Sequence, residues 1–235
     1  MILKVKQVKT NYGNFFIPEK DSFIRECLEK LGGWEIPTLE ICKSYLKTNS
    51  IVIEVGAHVG THTIPISKMC NEGFVFSFEM QRFLHQLLNA NILFNGCYNV
   101  CSFMEVVSSE NNQFNFGDIN YEAYTNFNTG CVSFDRLHQD NGYPISVIKL
   151  DDKFKNLQKL DLIKIDAEGH EVQILKGAMN LIQKFKPLIL TEFDKFNKQE
   201  LIDLLPNYTF ENVSYFYSVF GGQIENFMFK ATPKN

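Results

Sequence analysis

Acidic residues and glycines meet at the end of a short β-branched segment near residue 54, where a ligand would find several polar groups. Ile51-Val52-Ile53-Glu54-Val55 has the pattern of a buried strand, and Gly56-Ala57-His58-Val59-Gly60 follows it before a helical pattern. Glycines allow a tight turn and a close approach of a ligand to the backbone. The N-terminus of the following helix offers free N–H groups. The segment is therefore predicted to be a ligand-binding turn.

A second carboxylate, Glu79, ends the next predicted strand, 19 residues after Gly60. A carboxylate there can accept hydrogen bonds from both ribose hydroxyls of an adenosine ligand. A pyrophosphate is disfavoured, because Glu54 would repel it and because His58 replaces the middle glycine of a dinucleotide fingerprint. Glu54 suits instead the cationic aminoacid part of S-adenosylmethionine (SAM). A nicotinamide-dependent oxidoreductase is the weaker alternative.

A third group of ionisable residues follows the predicted strand Leu160–Asp166. Asp166, Glu168, His170 and Glu171 fall within six residues, and such a group is costly to gather unless it is solvated or functional. An ordinary helix start, where acids favour the helix dipole, is the alternative. Glu192 ends the next predicted strand. Ligands of parallel sheets bind beyond the carboxyl ends of the strands, so Asp166 and Glu192 are expected to face one site.

The elements that position these groups alternate between strand and helix from residue 49 onward, which predicts a mostly parallel α/β sheet with helices on both faces. Residues 1–48 are predicted to be an extension, a β-hairpin and two helices, packed on a domain that spans 49–235. Two aromatic-rich strands, about 208–219 and 224–230, suit a C-terminal antiparallel hairpin. The least regular stretch is 108–148.

Composition narrows the class of protein. The chain has 235 residues, 45% of them hydrophobic, and a net charge of −4, so nucleic acid is not an expected partner. Its longest apolar runs are about six residues, far below the ~20 that span a bilayer. The N-terminal residues MILKVKQVKTNYG lack the continuous apolar core of a signal peptide, which predicts a cytoplasmic location. The six cysteines form no CxxC pair and are expected to be reduced thiols. The oligomeric state, monomer or homodimer, is left open.

In these segments the chain resembles the FkbM-type SAM-dependent methyltransferases. The resemblance covers about 51–193 and rests on VIEVGAHVGTHT, VFSFEM, LLNANILFN, DLIKIDAEGHEVQILKGA and KPLILTEF, in that order. It implies a Rossmann-like class I methyltransferase fold with a seven-stranded sheet. Three residues depart from the usual family pattern: the family has Asp at Glu54, Asn at His58 and Pro at Met80.

The resemblance implies methyl transfer from SAM, most often to a hydroxyl of a sugar, glycan or related small molecule. A non-catalytic SAM-binding module and a methyltransferase acting on a protein are the alternatives. The residues expected to bind the cofactor lie in the two motifs around the glycine turn and the second strand end: Glu54, Gly56, Ala57, His58, Gly60, Thr63, Glu79 and Met80.

The group that handles the acceptor is expected among Asp166, Glu168 and His170, because an alcohol needs a base or a metal to lose its proton. As a metal alternative, Asp166 and Glu192 would hold Mg²⁺ or Mn²⁺ through oxygen ligands. Acceptor choice is expected to lie in 108–148 and in the N-terminal extension. Trp34 and Glu35 resemble a family segment that would cover the pocket. Tyr121, Tyr124 and Phe127 are candidates to stack on a sugar, although packing is the default for them.

Overall fold

A computed structural model of the chain describes residues 4–117, 119, 128–132, 142–193, 197–213, 215–219, 222–226 and 228–234, the side chains of 215–219 and 222–226 excepted. The helices are α1 Ser22–Leu31, α2 Ile36–Tyr45, α3 Thr63–Met69, α4 Arg82–Phe94, α5 Leu150–Lys153, α6 Glu171–Lys176, α7 Met179–Phe185 and α8 Lys198–Leu204. The strands are β1 Val5–Lys9, β2 Asn14–Pro18, β3 Ile51–Val55, β4 Phe74–Phe78, β5 Val100–Phe103, β6 Val106–Val107, β7 Asn112–Phe116, β8 Tyr143–Ile148, β9 Leu162–Ile165, β10 Leu188–Glu192, β11 Tyr208–Asn212, β12 Tyr215–Val219, β13 Gly222–Asn226 and β14 Met228–Pro233. None of the helices in these ranges has both the length and the apolar character needed to cross a membrane.

The central feature is a seven-stranded sheet in the order β11-β14-β10-β9-β3-β4-β5. The strands from β10 to β5 pair in parallel, and β14 pairs antiparallel with both β10 and β11. All four residues of β9 are buried, as expected for a parallel strand covered by helices on both faces. The predicted mostly parallel sheet is therefore confirmed. Its carboxyl edge brings together the residues that follow β3, β4, β9 and β10.

The N-terminal hairpin and α1 form as the sequence predicts. The Asp21 side chain accepts a hydrogen bond from the backbone N–H of Ile24, which caps α1, and Gly32 ends the helix in the left-handed region. Apolar residues of this portion, such as Phe15 and Leu28, share a buried cluster with Leu88 of α4. The hairpin and α1 therefore pack on the sheet domain, while the boundary at residue 48 stays a prediction.

One predicted helix is split. The periodicity of 170–184 predicts a single helix, but α6 ends at Lys176 and α7 begins at Met179. The break occurs because the Gly177 carbonyl accepts a hydrogen bond from the Asp151 N–H, and the Asp151 carboxylate caps α7 through the N–H groups of Asn180 and Leu181. A Cβ on Gly177 would lie 2.0 Å from the Ser108 carbonyl oxygen. These partners are distant in sequence, so the local pattern does not reveal them.

One predicted strand is also split. The run 100–107 predicts one strand, but β5 ends at Phe103, which faces Phe78, the last residue of β4. Beyond that pair no backbone of β4 remains to continue the ladder. The chain then enters a small sheet in the order β6-β8-β7, where Val106 pairs with Val147. This change of sheet carries 105–107 towards the carboxyl edge of the main sheet.

The C-terminal strands form antiparallel pairs, as predicted, but in two sheets rather than one. β11 and β14 pair within the main sheet, and β12 and β13 form a separate two-stranded sheet. β14 lies inside the sheet between β10 and β11, so the edge is formed by β11.

Candidate functional site

A cavity of about 280 Å³ opens at the carboxyl edge of the main sheet. Its wall combines the turns after β3, β4, β9 and β10 with the N-terminal extension and with the short segment 128–132. Among the residues that line it are Phe23, Trp34, Glu35, Gly56, Ala57, His58, Glu79, Met80, Asp166, Glu168, His170 and Glu192. We call Gly56, Ala57, His58, Glu79 and Met80 the turn end, and Asp166, Glu168, His170 and Glu192 the acidic end.

The glycine turn is fixed by its backbone. The N–H groups of Gly56 and Ala57 both donate to the Phe78 carbonyl oxygen, at 3.0 and 2.9 Å. Gly56 has φ +82, and a Cβ built on it would lie 1.7 Å from the Asp166 carbonyl oxygen. Only glycine fits this position, because both the dihedral angle and the contact exclude a side chain.

Glu79 lies at the end of β4 with its carboxylate held by backbone. It accepts hydrogen bonds from the N–H groups of His58 and Gln81, both at 2.8 Å. The side chain is buried, and burial raises the pKa of Glu79 to about 7, although the two backbone hydrogen bonds lower it. A carboxylate in this setting is oriented towards the turn, where the hydroxyls of a sugar would meet it.

Three residues that the sequence assigns to the cofactor lie away from the cavity wall: Glu54, Gly60 and Thr63. Glu54 is 1% exposed, and its Oε2 atom accepts hydrogen bonds from the hydroxyls of Thr63 (2.6 Å) and Ser77 (3.1 Å). The side chain of Glu54 points to the face of the sheet covered by α3, because Thr63 begins that helix. Glu54 therefore does not line the cavity. It stabilises the turn through its hydrogen bonds beneath α3.

His58 connects the turn to two distant parts of the chain. Its Nε2 atom lies 2.5 Å from the Thr129 hydroxyl and 3.6 Å from Asp21 Oδ2. The Thr129 hydroxyl also donates to Asp21, and Gln81 Nε2 donates to the Thr129 carbonyl oxygen at 3.1 Å. We call the contacts among Asp21, His58 and Thr129 the clasp. The clasp places segment 128–132 against the cavity.

The acidic end brings three carboxylates together. Oxygen atoms of Asp166, Glu168 and Glu192 all lie within 4.8 Å of one another, and each residue is half-buried. Burial, followed by the charges of Asp166 and Glu168, raises the pKa of Glu192 to about 10. Carboxylate oxygens at this spacing are a ligand set for a hard divalent cation. The sequence analysis predicted Asp166 and Glu192 as metal ligands, but it did not include Glu168 among them.

His170 faces the same end of the cavity. Its Nε2 atom lies 3.0 Å from the Ser108 hydroxyl. The neighbouring Glu171 is 1% exposed and accepts the N–H groups of Ala167 (3.2 Å) and Gly169 (3.0 Å). Glu171 therefore holds the shape of the loop, and Asp166, Glu168 and His170 are the groups of this loop that reach the cavity.

A buried lysine lies beneath this end of the site. Lys164 is fully buried on β9, and its Nζ atom lies 3.2 Å from Asp166 Oδ2. Burial lowers the pKa of Lys164, but Asp166, Glu35 and Glu54 together raise it above its ordinary value. The sequence offered a signal here, since a charged residue within a strand otherwise fully apolar demands a buried partner.

Trp34 and Glu35 line the cavity, where the sequence predicted a covering segment. Trp34 contacts Phe23 edge-on, with ring centroids 5.5 Å apart. Glu35 is 2% exposed, and its Oε2 atom lies 3.4 Å from His62 Nε2. The sequence missed His62 and Thr129, which local patterns do not distinguish from ordinary loop residues. Tyr121, Tyr124 and Phe127 lie outside the described residues.

Comparison with known proteins places this geometry among methyltransferases. A family model described as the methyltransferase FkbM domain matches residues 54–225. No curated protein sequence matches the chain. The matched residues 54–225 include the turn end and the acidic end, whereas Trp34 and Glu35 lie before them in the chain.

Solved structures agree on the fold. A methyltransferase FkbM from Methylobacillus flagellatus KT aligns with TM-score 0.54 and 16% identity, over 79% of this chain and 44% of that chain. A precorrin-6y C5,15-methyltransferase from Geobacter metallireducens GS-15 aligns with TM-score 0.54 and 10% identity, over 85% and 88%. TYW2 of M. jannaschii in complex with AdoMet aligns with TM-score 0.54 and 13% identity, over 100% and 88%. These similarities show a Rossmann-like class I methyltransferase fold.

Proposed function

We propose, from the premise that this chain belongs to the FkbM family of SAM-dependent methyltransferases, that it methylates a hydroxyl oxygen of a sugar, a glycan or a related small molecule. The observation that carries the proposal is the shared cavity. The turn end offers groups for a nucleoside, and the acidic end offers groups that handle a proton, within one space of about 280 Å³.

For the cofactor, we assign the nucleoside to the turn end. The Glu79 carboxylate accepts the ribose hydroxyls, in addition to the N–H groups of His58 and Gln81 that already orient it. Gly56 and Ala57 let the ligand approach the backbone, and Met80 packs beside it. Glu54, Gly60 and Thr63 act from below by fixing the turn, because none of them lines the cavity.

For the acceptor, we assign the acidic end. Methyl transfer is an in-line displacement, so the protein must hold the acceptor oxygen about 3 Å from the methyl carbon. The oxygen loses its proton as the new C–O bond forms, and the C–S bond electrons return to sulfur. His170 is our first choice for the base that receives the proton, since its ordinary pKa lies near neutrality. Asp166 and Glu168 are the alternatives.

A divalent cation fits the acidic end as a second way to activate the hydroxyl. Asp166, Glu168 and Glu192 would hold Mg²⁺ or Mn²⁺, because their oxygens lie within 4.8 Å of one another and hard cations prefer such ligands. When bound, the ion would lower the pKa of a coordinated hydroxyl. The three side chains would then serve as ligands, and His170 would remain to take the proton.

Calorimetry with S-adenosylhomocysteine tests the cofactor half of the proposal. We expect micromolar binding after EDTA treatment, and the same titration with Mn²⁺ shows whether the metal alters it. Absence of binding in both conditions would contradict the assignment of the turn end.

Methyl transfer to a panel of acceptors tests the other half. Production of S-adenosylhomocysteine is followed with sugars, glycans, amines and peptides. We expect turnover with hydroxyl compounds, and a loss of about a hundredfold or more in Asp166→Asn. Asp203→Asn, an exposed change on α8, is the matched control and should keep full activity. Turnover with peptides or amines alone would replace the hydroxyl assignment.

A further inference from the structure

Segment 128–132 reaches both ends of the cavity. Thr129 belongs to the clasp at the turn end, where its hydroxyl lies 2.5 Å from His58 Nε2. Two positions later, Cys131 makes a side-chain hydrogen bond with Glu168 of the acidic end. Four residues of the segment line the cavity: Asn128, Gly130, Cys131 and Val132. An acceptor bound at the acidic end would therefore lie against this segment.

The contacts that hold the segment in place meet at Thr129. Residues 128–132 belong to no helix or strand, so no ladder of backbone hydrogen bonds fixes them. The backbone N–H and the hydroxyl of Thr129 both donate to Asp21 Oδ2, the N–H at 3.3 Å. Other hydrogen bonds of the segment, such as that from the Val132 N–H to the Gly130 carbonyl oxygen, remain within it. The position of the segment therefore depends on Thr129 and its partners.

The hydrogen bonds of the clasp run in one direction. Burial lowers the pKa of His58, so its ring is uncharged near neutral pH. The Thr129 hydroxyl uses its proton in the bond to Asp21, so its oxygen accepts the hydrogen bond from His58, and Nε2 carries the hydrogen. The Asp21 carboxylate is the final acceptor of this chain. Without a carboxylate at that place, the order of donors and acceptors is lost.

The burial of Asp21 points to a role beyond capping α1. Its Oδ1 atom accepts the Ile24 N–H at 3.0 Å, and this contact alone caps the helix, as an uncharged Asn would. The side chain is fully buried, and a buried carboxylate is costly unless its oxygens are hydrogen-bonded. Oδ2 is the oxygen that holds Thr129. Asp21 also precedes residues 54–225, so the clasp is not contained in the matched family region.

We propose that Asp21 is a positioning residue for the acceptor, which acts through Thr129 to hold segment 128–132 in the cavity wall. This role rests on the proposed function, because it takes the acidic end as the acceptor site. Cofactor binding is expected to change little, since the turn end has its own backbone hydrogen bonds to Phe78 and Glu79. A displaced wall lets the acceptor hydroxyl leave the line of methyl transfer, and a misplacement of about 1 Å can cost a hundredfold in rate.

Asp21→Asn separates this role from helix capping. The amide oxygen of Asn still accepts the Ile24 N–H, whereas its NH2 group would face the N–H and the hydroxyl of Thr129. The substitution therefore removes the acceptor of the clasp and retains the cap. Glu29→Gln is the matched control, because it makes the same change of carboxylate to amide on α1, at an exposed residue paired with Lys6.

Alkylation of Cys131 measures the position of the segment without any ligand. Iodoacetamide labelling at one pH is followed by peptide mass spectrometry on the wild type, Asp21→Asn and Glu29→Gln. We expect Cys131 to react about fivefold faster or more in Asp21→Asn, because release of the segment removes its contact with Glu168. An unchanged rate would overturn the proposal. General unfolding is reported by the buried cysteines, Cys27, Cys42, Cys70 and Cys97.

Kinetics with the acceptor found in the panel measure the consequence for the reaction. We expect kcat/KM for the acceptor to fall about tenfold to a hundredfold in Asp21→Asn, while the dissociation constant of S-adenosylhomocysteine stays within about twofold. Glu29→Gln should match the wild type in both measurements. If Asp21→Asn weakens S-adenosylhomocysteine as much as it lowers kcat/KM for the acceptor, Asp21 supports the whole cavity and the proposal is overturned.

Variants of Thr129 provide a second test that leaves the cap of α1 intact. Thr129→Ser keeps the hydroxyl and should retain the labelling rate and the kinetics of the wild type. Thr129→Val lacks the hydroxyl and should behave as Asp21→Asn does. If Thr129→Val keeps the wild-type labelling rate and kcat/KM, the role of the clasp is refuted. These variants decide the matter even if Asp21→Asn does not fold.

Failure of the proposed function would look different. If the wild type binds no S-adenosylhomocysteine and methylates no member of the panel, the proposed function fails, and the acceptor role of Asp21 fails with it. If the wild type methylates a hydroxyl compound and Asp21→Asn retains its kcat/KM, the proposed function stands and the role of Asp21 is refuted.

Discussion

The turn end and the acidic end of the cavity are built on different physical principles. At the turn end, the side chains of His58 and Glu79 are buried. Backbone hydrogen bonds hold this end, such as those from Gly56 and Ala57 to Phe78 and those from His58 and Gln81 to Glu79. At the acidic end, half-buried carboxylates stand close together. The turn end is preorganised for one ligand. The acidic end is stabilised by any proton, cation or hydrogen-bond donor that reduces the repulsion between its carboxylates. This difference suits a fixed cofactor bound at the turn end and an acceptor, which varies between enzymes, bound at the acidic end.

The largest expected effect tests the rigidity of the turn end. Gly56→Ala should lower the free energy of unfolding by about 4 kcal/mol and abolish S-adenosylhomocysteine binding, because its Cβ would lie 1.7 Å from the Asp166 carbonyl oxygen. Gly169→Ala is the matched control at the acidic end. Its φ is +96 but nothing lies within 4 Å of the added Cβ, so about 1 kcal/mol is expected. Urea denaturation and calorimetry measure both. If both variants lose the same free energy of unfolding, the turn end is no more rigid than the acidic end.

The second effect separates chemistry from binding at the acidic end. His170→Gln should reduce kcat roughly a hundredfold, about 2.7 kcal/mol, while the dissociation constant of S-adenosylhomocysteine stays within about twofold. Steady-state kinetics with the acceptor found in the panel, together with calorimetry, measure this. Glu168→Gln is the parallel variant. A larger loss in Glu168→Gln would transfer the base assignment from His170 to Glu168.

The third effect concerns the clasp that joins segment 128–132 to the turn end. Thr129→Val removes the hydroxyl that contacts His58 and Asp21 and leaves a buried imidazole nitrogen without that partner. We expect a loss of about 2 kcal/mol in the free energy of unfolding, read from urea denaturation. Thr129→Ser keeps the hydroxyl and should restore most of the stability. If Thr129→Ser and Thr129→Val lower the free energy of unfolding equally, the clasp stabilises the protein by packing and not by hydrogen bonds.

The smallest effect is a proton linkage at Glu79. Burial raises its pKa to about 7 from 4.5, so the folded protein binds more protons than the unfolded chain between these values. The contribution of Glu79 to stability therefore falls as the pH rises through this window. Ribose hydroxyls stabilise the ionised form, so S-adenosylhomocysteine should bind up to about tenfold more tightly at pH 8 than at pH 6. Calorimetry measures this, and Glu79→Gln should show a flat profile.

The sequence predicted features that depend on local pattern. The β-branched runs gave the strands of the parallel sheet, and the rule that ligands lie at their carboxyl ends brought Asp166, Glu192 and Glu79 to one cavity. The start of α1 depends on local pattern too: the sequence offers Asp21 or Ser22 as its cap, and the Asp21 side chain accepts the N–H of Ile24, three positions away. Such inferences need only spacing and residue type.

Features that depend on distant partners escaped prediction. The break at Gly177 depends on Asp151, and the course of the chain after Phe103 depends on where β4 ends. The sequence identified Glu54 as an acid near the end of a strand, but its burial depends on hydroxyls supplied by Thr63 and Ser77. The clasp joins Asp21 and Thr129 across 108 positions. The sequence pattern around Asp21 and the pattern around Thr129 do not predict that contact.

The position of Trp34 has a practical consequence. It is the only tryptophan among the 235 residues, and it stands in the wall of the cavity beside Phe23. Indole emission depends on its immediate surroundings, so the intrinsic fluorescence of this protein is a built-in reporter of occupancy at one point. Rapid mixing with ligand would then resolve association and dissociation rates without any label.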